Sequence, residues 1–329
     1  MIEIDGSAGE GGGQILRVAL AFSCISGKSV RISNIRAGRK NPGIAPQHLA
    51  VCNLLSKISN AQVEGARLGS TKLVFHPGEL SGGNFEVEIG TAGACTLVLQ
   101  AALPIMLCCK GECSLKVIGG THVSGAPTYD YFENVLLPAI GKFGARCQAR
   151  MERAGFYPKG GGSVFVKTFP SRLQGFRFLH SKPEHASYKI VSASIPEHVA
   201  KREERVLKDR LAGIGISGRI DSFNTLSPGN AITIWGGNYG ASAIGERGKS
   251  AEQVANEACD SFMSEAFSAN SSVDSHLADQ LLIYATMAKG SSLFYPPKIT
   301  SHLSTAAFLL SKISERDIRI GMDGIVEVV

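Results

Sequence analysis

The sequence predicts a mixed α/β (α+β) fold, made of repeated βαβαββ units as sheets covered by helices, with a small α/β domain inserted. Three observations carry that expectation. Apolar segments recur in one order along the chain. Glycine-rich turns stand at equivalent strand-to-helix junctions. The texture then changes over residues 182–270.

The first unit reads as a strand (2–5), a glycine turn, a helix (14–25), Gly27, a strand (29–34), a basic loop, a helix (46–57), and strands near 61–66 and 72–76. The second repeats the order: a strand (85–89), the turn Gly90-Thr-Ala-Gly-Ala94, a helix (95–108), Gly111, a strand (113–118), a helix (128–143), and strands near 146–152 and 163–168. A third, partial unit begins near Ser272, with helix 275–288, strand 292–295, helix 301–313, and strands near 317–320 and 325–328. Its leading strand is displaced. The expected cause is an insertion with strand 188–195, a charged helix 196–211, strands near 217–223, 230–236 and 241–246, and helix 250–268. Polar linkers bound it, so the body is expected to be discontinuous, 1–181 plus 271–329, around a domain at 182–270. Ligand clefts form where repeated units meet.

Composition bounds the function classes. The chain has 329 residues, 44% of them apolar, which is ample for a large core. Its charge of +6 permits contact with nucleic acid without requiring it. Met-Ile-Glu-Ile-Asp reads as a strand and not as a signal peptide. The longest apolar run, 101–109, contains Pro104 and is too short to span a bilayer. A soluble, cytoplasmic protein with no membrane role is expected. The eight cysteines form no C-x-x-C pair and read mostly as small core residues.

The glycine-rich turn Asp5-Gly-Ser-Ala-Gly-Glu-Gly-Gly-Gly-Gln14 opens an apolar helix. Free N–H groups at a helix start attract anions. Glu10 sits inside the turn, and Arg17 lies one turn into the helix. A carboxylate beside a phosphate needs a cation between them, so the loop reads as a phosphate site with a divalent metal. A tight turn without a ligand has the same glycine content. After Glu10 no acid appears until Glu64, while Arg17, Lys28, Arg31, Arg36, Arg39, Lys40 and Lys57 do. Arginine forks suit phosphate oxygens, and the loop 36–43 is expected to project its cations to solvent or to a ligand.

His302 stands at the expected start of a helix among Thr300, Ser301, Ser304 and Thr305. That position favours the neutral imidazole a nucleophile or base requires. A capping or surface histidine would look the same. Asp279 is placed to hold a ring N–H, and Gln280 to donate to a phosphate or base. Gln100 is an amide inside an apolar helix and needs partners. No G-x-S-x-G elbow is present, which disfavours a serine hydrolase.

Longer motifs go further. Glu10-Gly-Gly-Gly-Gln-Ile-Leu-Arg17, Ile35-Arg-Ala-Gly-Arg39 with Gln47-His48-Leu49, and Gly93-Ala-Cys-Thr-Leu-Val-Leu-Gln100 recur with Gly155-Phe-Tyr-Pro-Lys-Gly-Gly-Gly162, Leu277-Ala-Asp-Gln280 and Ser301-His-Leu303. Together they resemble the RNA 3′-terminal phosphate cyclase family along nearly the whole chain. The resemblance implies an enzyme that uses ATP and Mg²⁺ or Mn²⁺ to convert an RNA 3′-phosphate into a 2′,3′-cyclic phosphate through a covalent histidine–AMP. It implies His302 as nucleophile and Glu10 as metal ligand. It implies Gln100, Asp279, Gln280, His276 and Pro127 around the nucleotide, and Arg17, Arg36, Arg39 and Gln47 around the RNA terminal phosphate. His276 stands where relatives often carry an aromatic, and it is the second candidate nucleophile. Two other readings stay open. One is a non-catalytic, cyclase-like RNA-binding factor of ribosome assembly, which would lack the histidine. The other is an enolpyruvyl transferase. The role of 182–270 stays open among RNA guidance, a homodimer contact and a spacer.

Overall fold

The computed structural model describes residues 1–329. In the first unit, β1 (Ile2–Asp5) leads into α1 (Gln14–Ser26), then β2 (Val30–Ser33), α2 (Pro46–Ser59), β3 (Gln62–Glu64) and β4 (Leu73–His76). Gly27 and Asn60 end the two helices in the left-handed region, a conformation that closes helix C-termini. The strands form one sheet in the order β1-β2-β4-β3, with β1 and β2 parallel.

The second unit has β5 (Gly83–Glu88), α3 (Cys95–Cys108), β6 (Cys113–Gly119), a helical segment, β7 (Arg146–Arg153) and β8 (Gly162–Phe169). Its sheet has the equivalent order, β5-β6-β8-β7, with β5 and β6 parallel. The helix expected at 128–143 is broken in three: α4 (Tyr129–Tyr131), a π-turn at Phe132–Leu136, and α5 (Leu137–Gly141). Pro138 has no N–H to offer the carbonyl four residues back, so the ladder slips there.

The inserted segment has β9 (Ala186–Ala193), α6 (Glu197–Arg210), β10 (Ile216–Phe223), β11 (Gly229–Gly236), β12 (Tyr239–Ile244) and α7 (Ala251–Ala266). Its sheet runs β10-β9-β11-β12. The third unit continues with α8 (Ser275–Met287), β13 (Ser292–Phe294), α9 (Ser301–Ile313), β14 (Ile318–Ile320) and β15 (Val326–Val328).

The structure also locates the third unit's leading strand. Residues 173–178 run parallel to 289–293, through isolated bridges Gln174–Lys289 and Arg177–Leu293. Gly175 N–H donates to Lys289 O (2.7 Å) and Phe178 N–H to Leu293 O (2.8 Å). This pairing occupies the place of β1–β2 and β5–β6. The unit is therefore split by the insertion, and it starts before it.

The three repeated sheets share one core of 64 buried residues, from Ile4 to Val328, whereas 17 buried residues between Ala186 and Ala266 pack among themselves. The joint between the two is polar as well as apolar. Asp274, the buried N-cap of α8, accepts from Leu277 N–H (2.8 Å), from Tyr131 Oη–H of α4 (2.8 Å) and from Gly240 N–H of β12 (2.9 Å). Nearby, buried Asp130 lies 2.8 Å from both His122 Nε2 and Lys189 Nζ. No helix is long and apolar enough to cross a membrane. Six of the cysteines are buried, and burial pushes the Cys24 thiol up to about 12.

Candidate active site

The glycine turn is shaped by what packs on it. Gly11 has φ +54°, and a Cβ there would lie 2.8 Å from Gly38 N. A Cβ on Gly13 would lie 1.9 Å from His48 Nε2. Gly13 is also the N-cap of α1 and supplies no side chain, so the first amides of α1 stay available. α1 packs along α9, which brings the turn to the start of α9.

There His302 meets Gln14. His302 Nδ1 is 2.6 Å from Gln14 Oε1, while Gln14 Nε2 donates to His302 O (3.0 Å). The second bond orients the amide and turns its oxygen to the ring, so in the neutral imidazole Nδ1 carries the proton and Nε2 the lone pair. Nε2 lies 3.4 Å from Glu10 Oε2. Ser301 Oγ donates to Glu10 Oε1, and Arg39 Nη2 is 3.6 Å from Oε2. The Ser301 hydrogen bond first, against a smaller opposing effect of burial, holds the Glu10 carboxyl below its usual range, with the Arg39 charge adding to it.

Asp279 does not hold the imidazole, contrary to the expectation from sequence. Its Oδ1 accepts from Thr300 Oγ1 (2.5 Å), and Thr300 caps α9 by accepting from Leu303 N–H (2.9 Å). Asp279 therefore sets the helix start that carries His302. Gln14 is the ring's partner, and sequence reasoning missed it. Its signal was present: four residues after Glu10, it falls on the first turn of α1.

The remaining residues fall into two groups. Gln100 Nε2 donates to Gln280 Oε1 (2.7 Å), and Gln280 Nε2 to His276 O (3.0 Å), which joins α3 to α8. His276 itself is exposed. Gln47 Oε1 accepts from Ala94 N–H (2.9 Å) at the uncapped start of α3, and Pro127 O accepts from Thr96 Oγ1 (2.7 Å) on the same turn.

The basic loop departs from expectation at one residue. Arg39 and Lys40 are exposed, but Arg36 folds back. Its φ is +56°, and its Nη1 donates to Asn41 O (2.9 Å) and Gly43 O (2.8 Å). Arg17 is half-buried, and burial pulls its guanidinium down to about 10. Beside it His48 is buried with Nδ1 unpartnered. Burial, then Arg17 and Arg36, push His48 down to about 3, so it is neutral.

The donor set bears on metal and nucleotide. No three His, Cys, Asp or Glu side chains converge, which excludes an all-protein cage. One exposed carboxylate beside the free amides at the start of α1 suits Mg²⁺ or Mn²⁺, which are held by few side chains and by substrate phosphates. A neutral His302 with Glu10 Oε2 3.4 Å from its Nε2 would be separated from that carboxylate by a cation.

Burial, followed by a Thr300 hydrogen bond that opposes it, raises Asp279 from 3.8 to about 7. A carboxyl raised on folding adds stability that is full below about 3.8 and lost as pH rises through about 7. Asp279→Asn is expected to flatten the fall in stability between about pH 4 and pH 7, which is at most about 1.4 kcal/mol per pH unit per group. Denaturant midpoints across that range check it. Parallel curves for the two proteins would remove the assignment.

Comparison with known proteins agrees with these motifs. A family profile described as RNA 3′-terminal phosphate cyclase matches residues 8–320. A protein of that name from Archaeoglobus fulgidus is 44% identical over 314 residues, covering 94% of this chain and 95% of the relative. Those from Methanosarcina barkeri and Pyrococcus furiosus are 39% and 40% identical, each covering 100% of this chain and 99% of the relative. Among solved structures, the enolpyruvyl transferase NikO from Streptomyces tendae aligns with TM-score 0.45 at 10% identity, over 100% of this chain and 48% of that one, which is too slight to bear on function. With a matching profile over nearly its whole length and relatives near 40% identity, this chain belongs to the RNA 3′-terminal phosphate cyclase family.

Proposed function

We propose that this chain converts an RNA 3′-phosphate into a 2′,3′-cyclic phosphate with ATP, through a His302–AMP and an RNA-adenylate. The observation that carries the reading is the Gln14–His302 pair, which leaves Nε2 as the free nitrogen facing Glu10. Nε2 attacks the α-phosphorus of ATP, and the bond to pyrophosphate breaks. Gln14 keeps hold of the Nδ1 proton while the ring is cationic. An oxygen of the RNA 3′-phosphate then takes the AMP from Nε2. The neighbouring 2′-OH attacks the activated phosphorus, releasing AMP and a proton. Three easier displacements replace one hard step, because AMP leaves where a bare phosphate oxygen does not.

Arg17, Arg36 and Arg39, with Gln47 and the start of α3, would receive the terminal phosphate. Gln100, Gln280, His276 and Pro127 would line the nucleotide. Glu10 would hold Mg²⁺ or Mn²⁺ together with substrate phosphates, and the ion would neutralise their charge. A reaction that closes on a 2′-OH selects RNA over DNA.

The test uses purified protein, ATP, either metal, and an oligoribonucleotide with a labelled 3′-phosphate. The expected product resists phosphatase and appears with equal AMP. An oligonucleotide lacking the terminal 2′-OH is expected to stop as an adenylated end. No cyclic end under either metal would overturn the reading and favour a non-catalytic RNA-binding role. Gln14→Ala is expected to lower the adenylation rate by about 10²-fold or more, since it frees the ring and its tautomer. An unchanged rate would remove Gln14 from the mechanism.

A further inference from the structure

The second sheet leaves its outer face open. From Val164 onward β8 alternates: Val164, Val166 and Thr168 are buried against α3, while Phe165, Lys167 and Phe169 face outward, half-buried. Across the strands, Phe165 is opposite Lys116 on one side and Arg150 on the other, and Phe169 is opposite Arg146. The Arg150 guanidinium lies 4.1 Å above the Phe165 ring, and Arg146 lies 5.2 Å and Lys167 5.0 Å from the centre of Phe169. Planar rings capped by planar cations on an open sheet face suit unstacked bases and their phosphates.

Charge is graded across this face. The β5 edge carries Glu86 and Glu88, and the β7 edge carries Arg146, Arg150 and Arg153. Glu152 is shared by Arg150 (3.0 Å) and Lys116 (3.7 Å), and Lys167 pairs with Glu112 (2.7 Å). The cations exceed the acids on the β8–β7 half, so a polyanion is directed there.

The platform connects with the active site through a motif that the chemistry above did not use. Gly160 N–H donates to Phe156 O (2.8 Å) and closes a turn on which Tyr157 is 77% exposed and Lys159 is exposed. A Cβ on Gly160 would lie 2.9 Å from Ala92 Cα, so the turn is set against the residues that lead into α3. Gln47 binds Ala94 N–H two residues further on. The turn thus stands at the rim between the phosphate pocket and the sheet face.

We propose that single-stranded RNA upstream of the 3′ end runs from the pocket over Tyr157 and Lys159 onto the β8–β7 face, where Phe165–Arg150 and Phe169–Arg146 stack its bases. The proposal rests on the cyclase reading. It implies no base preference, because every base offers a face to stack. It adds only a few phosphate contacts, so the dependence on salt stays modest.

The test compares a 3′-phosphorylated ten-nucleotide RNA with a 3′-phosphorylated dinucleotide, in the wild type, in Phe165→Ala/Phe169→Ala, and in Phe165→Leu, which keeps apolar bulk and removes the planar ring. KM for the ten-nucleotide RNA is expected to rise about tenfold or more in the double variant and several-fold in Phe165→Leu, with kcat and the dinucleotide KM unchanged. Arg150→Gln is expected to lower the salt slope for the longer RNA by about one. Equal KM values for the two substrates in the wild type, or a rise that strikes both substrates alike, would overturn the proposal. Anisotropy binding of an unphosphorylated ten-nucleotide RNA separates the two readings. If the wild type binds it, the variants lose it, and the 3′-phosphorylated RNA is nevertheless not cyclised, then the cyclase reading fails and the platform stands. If wild type and variants bind it equally, the platform fails.

Discussion

His302→Ala is expected to abolish transfer of label from α-labelled ATP to the protein and to lower cyclisation by on the order of 10⁴-fold or more. The reason is geometric. Nε2 of His302 is the ring nitrogen left free by Gln14, and it opens toward Glu10 and Arg39 at the capped start of α9. No other side chain stands in that position. In the wild type the label is expected to be acid-labile and alkali-stable, the signature of a phosphoramidate, and to be discharged by RNA with a 3′-phosphate. Equal labelling of the variant would move the nucleophile elsewhere, with His276 the next candidate, since its backbone oxygen receives Gln280 beside the same cleft. Absence of label in both proteins under Mg²⁺ and Mn²⁺ would end the adenylation mechanism.

Asp274→Ala carries the largest expected effect on stability. Its carboxyl is fully buried and receives Leu277 N–H, Tyr131 Oη–H and Gly240 N–H, from three separate elements. Burial pushes it up to about 7, against the pull of these donors. Removing it leaves all of them without an acceptor. Three unpaired buried groups at about 1–3 kcal/mol each would cost about 3–9 kcal/mol, and relief of the carboxyl's own desolvation brings the loss toward the low end, about 3–5 kcal/mol. Chemical denaturation measures it. Hydrogen exchange should rise at the start of α8 and at the β12 end of the insertion together, because one carboxylate holds both. A loss below about 1 kcal/mol would show that the three donors find other partners.

Much of this protein was legible in its sequence wherever the signal is local. The order of elements in the first two units follows from apolar periodicity and from glycine at helix ends. The helix over 128–143 was misread, because a proline's effect on one turn does not change the apolar pattern. Arg36 was expected, with the rest of its loop, to project to solvent or to a ligand. Its positive φ and two backbone carbonyls turn it inward, and neither is encoded in the charge run. Asp279 was offered as the holder of an imidazole N–H, whereas it accepts from Thr300, the cap two residues before His302.

The repeated α/β plan, the glycine turn with Glu10, and His302 at a helix start are all written in local stretches of chain. These depend on periodicity, capping and backbone freedom within a few residues. Which groups meet depends on long-range packing. Gln14 and His302 are 288 residues apart, and Glu10 and Ser301 are 291 apart. The third unit's leading strand lies on the far side of an inserted domain from the strand it pairs with. Such pairings exist because three sheets close on one shared core, and that closure is a property of the whole chain and not of any segment.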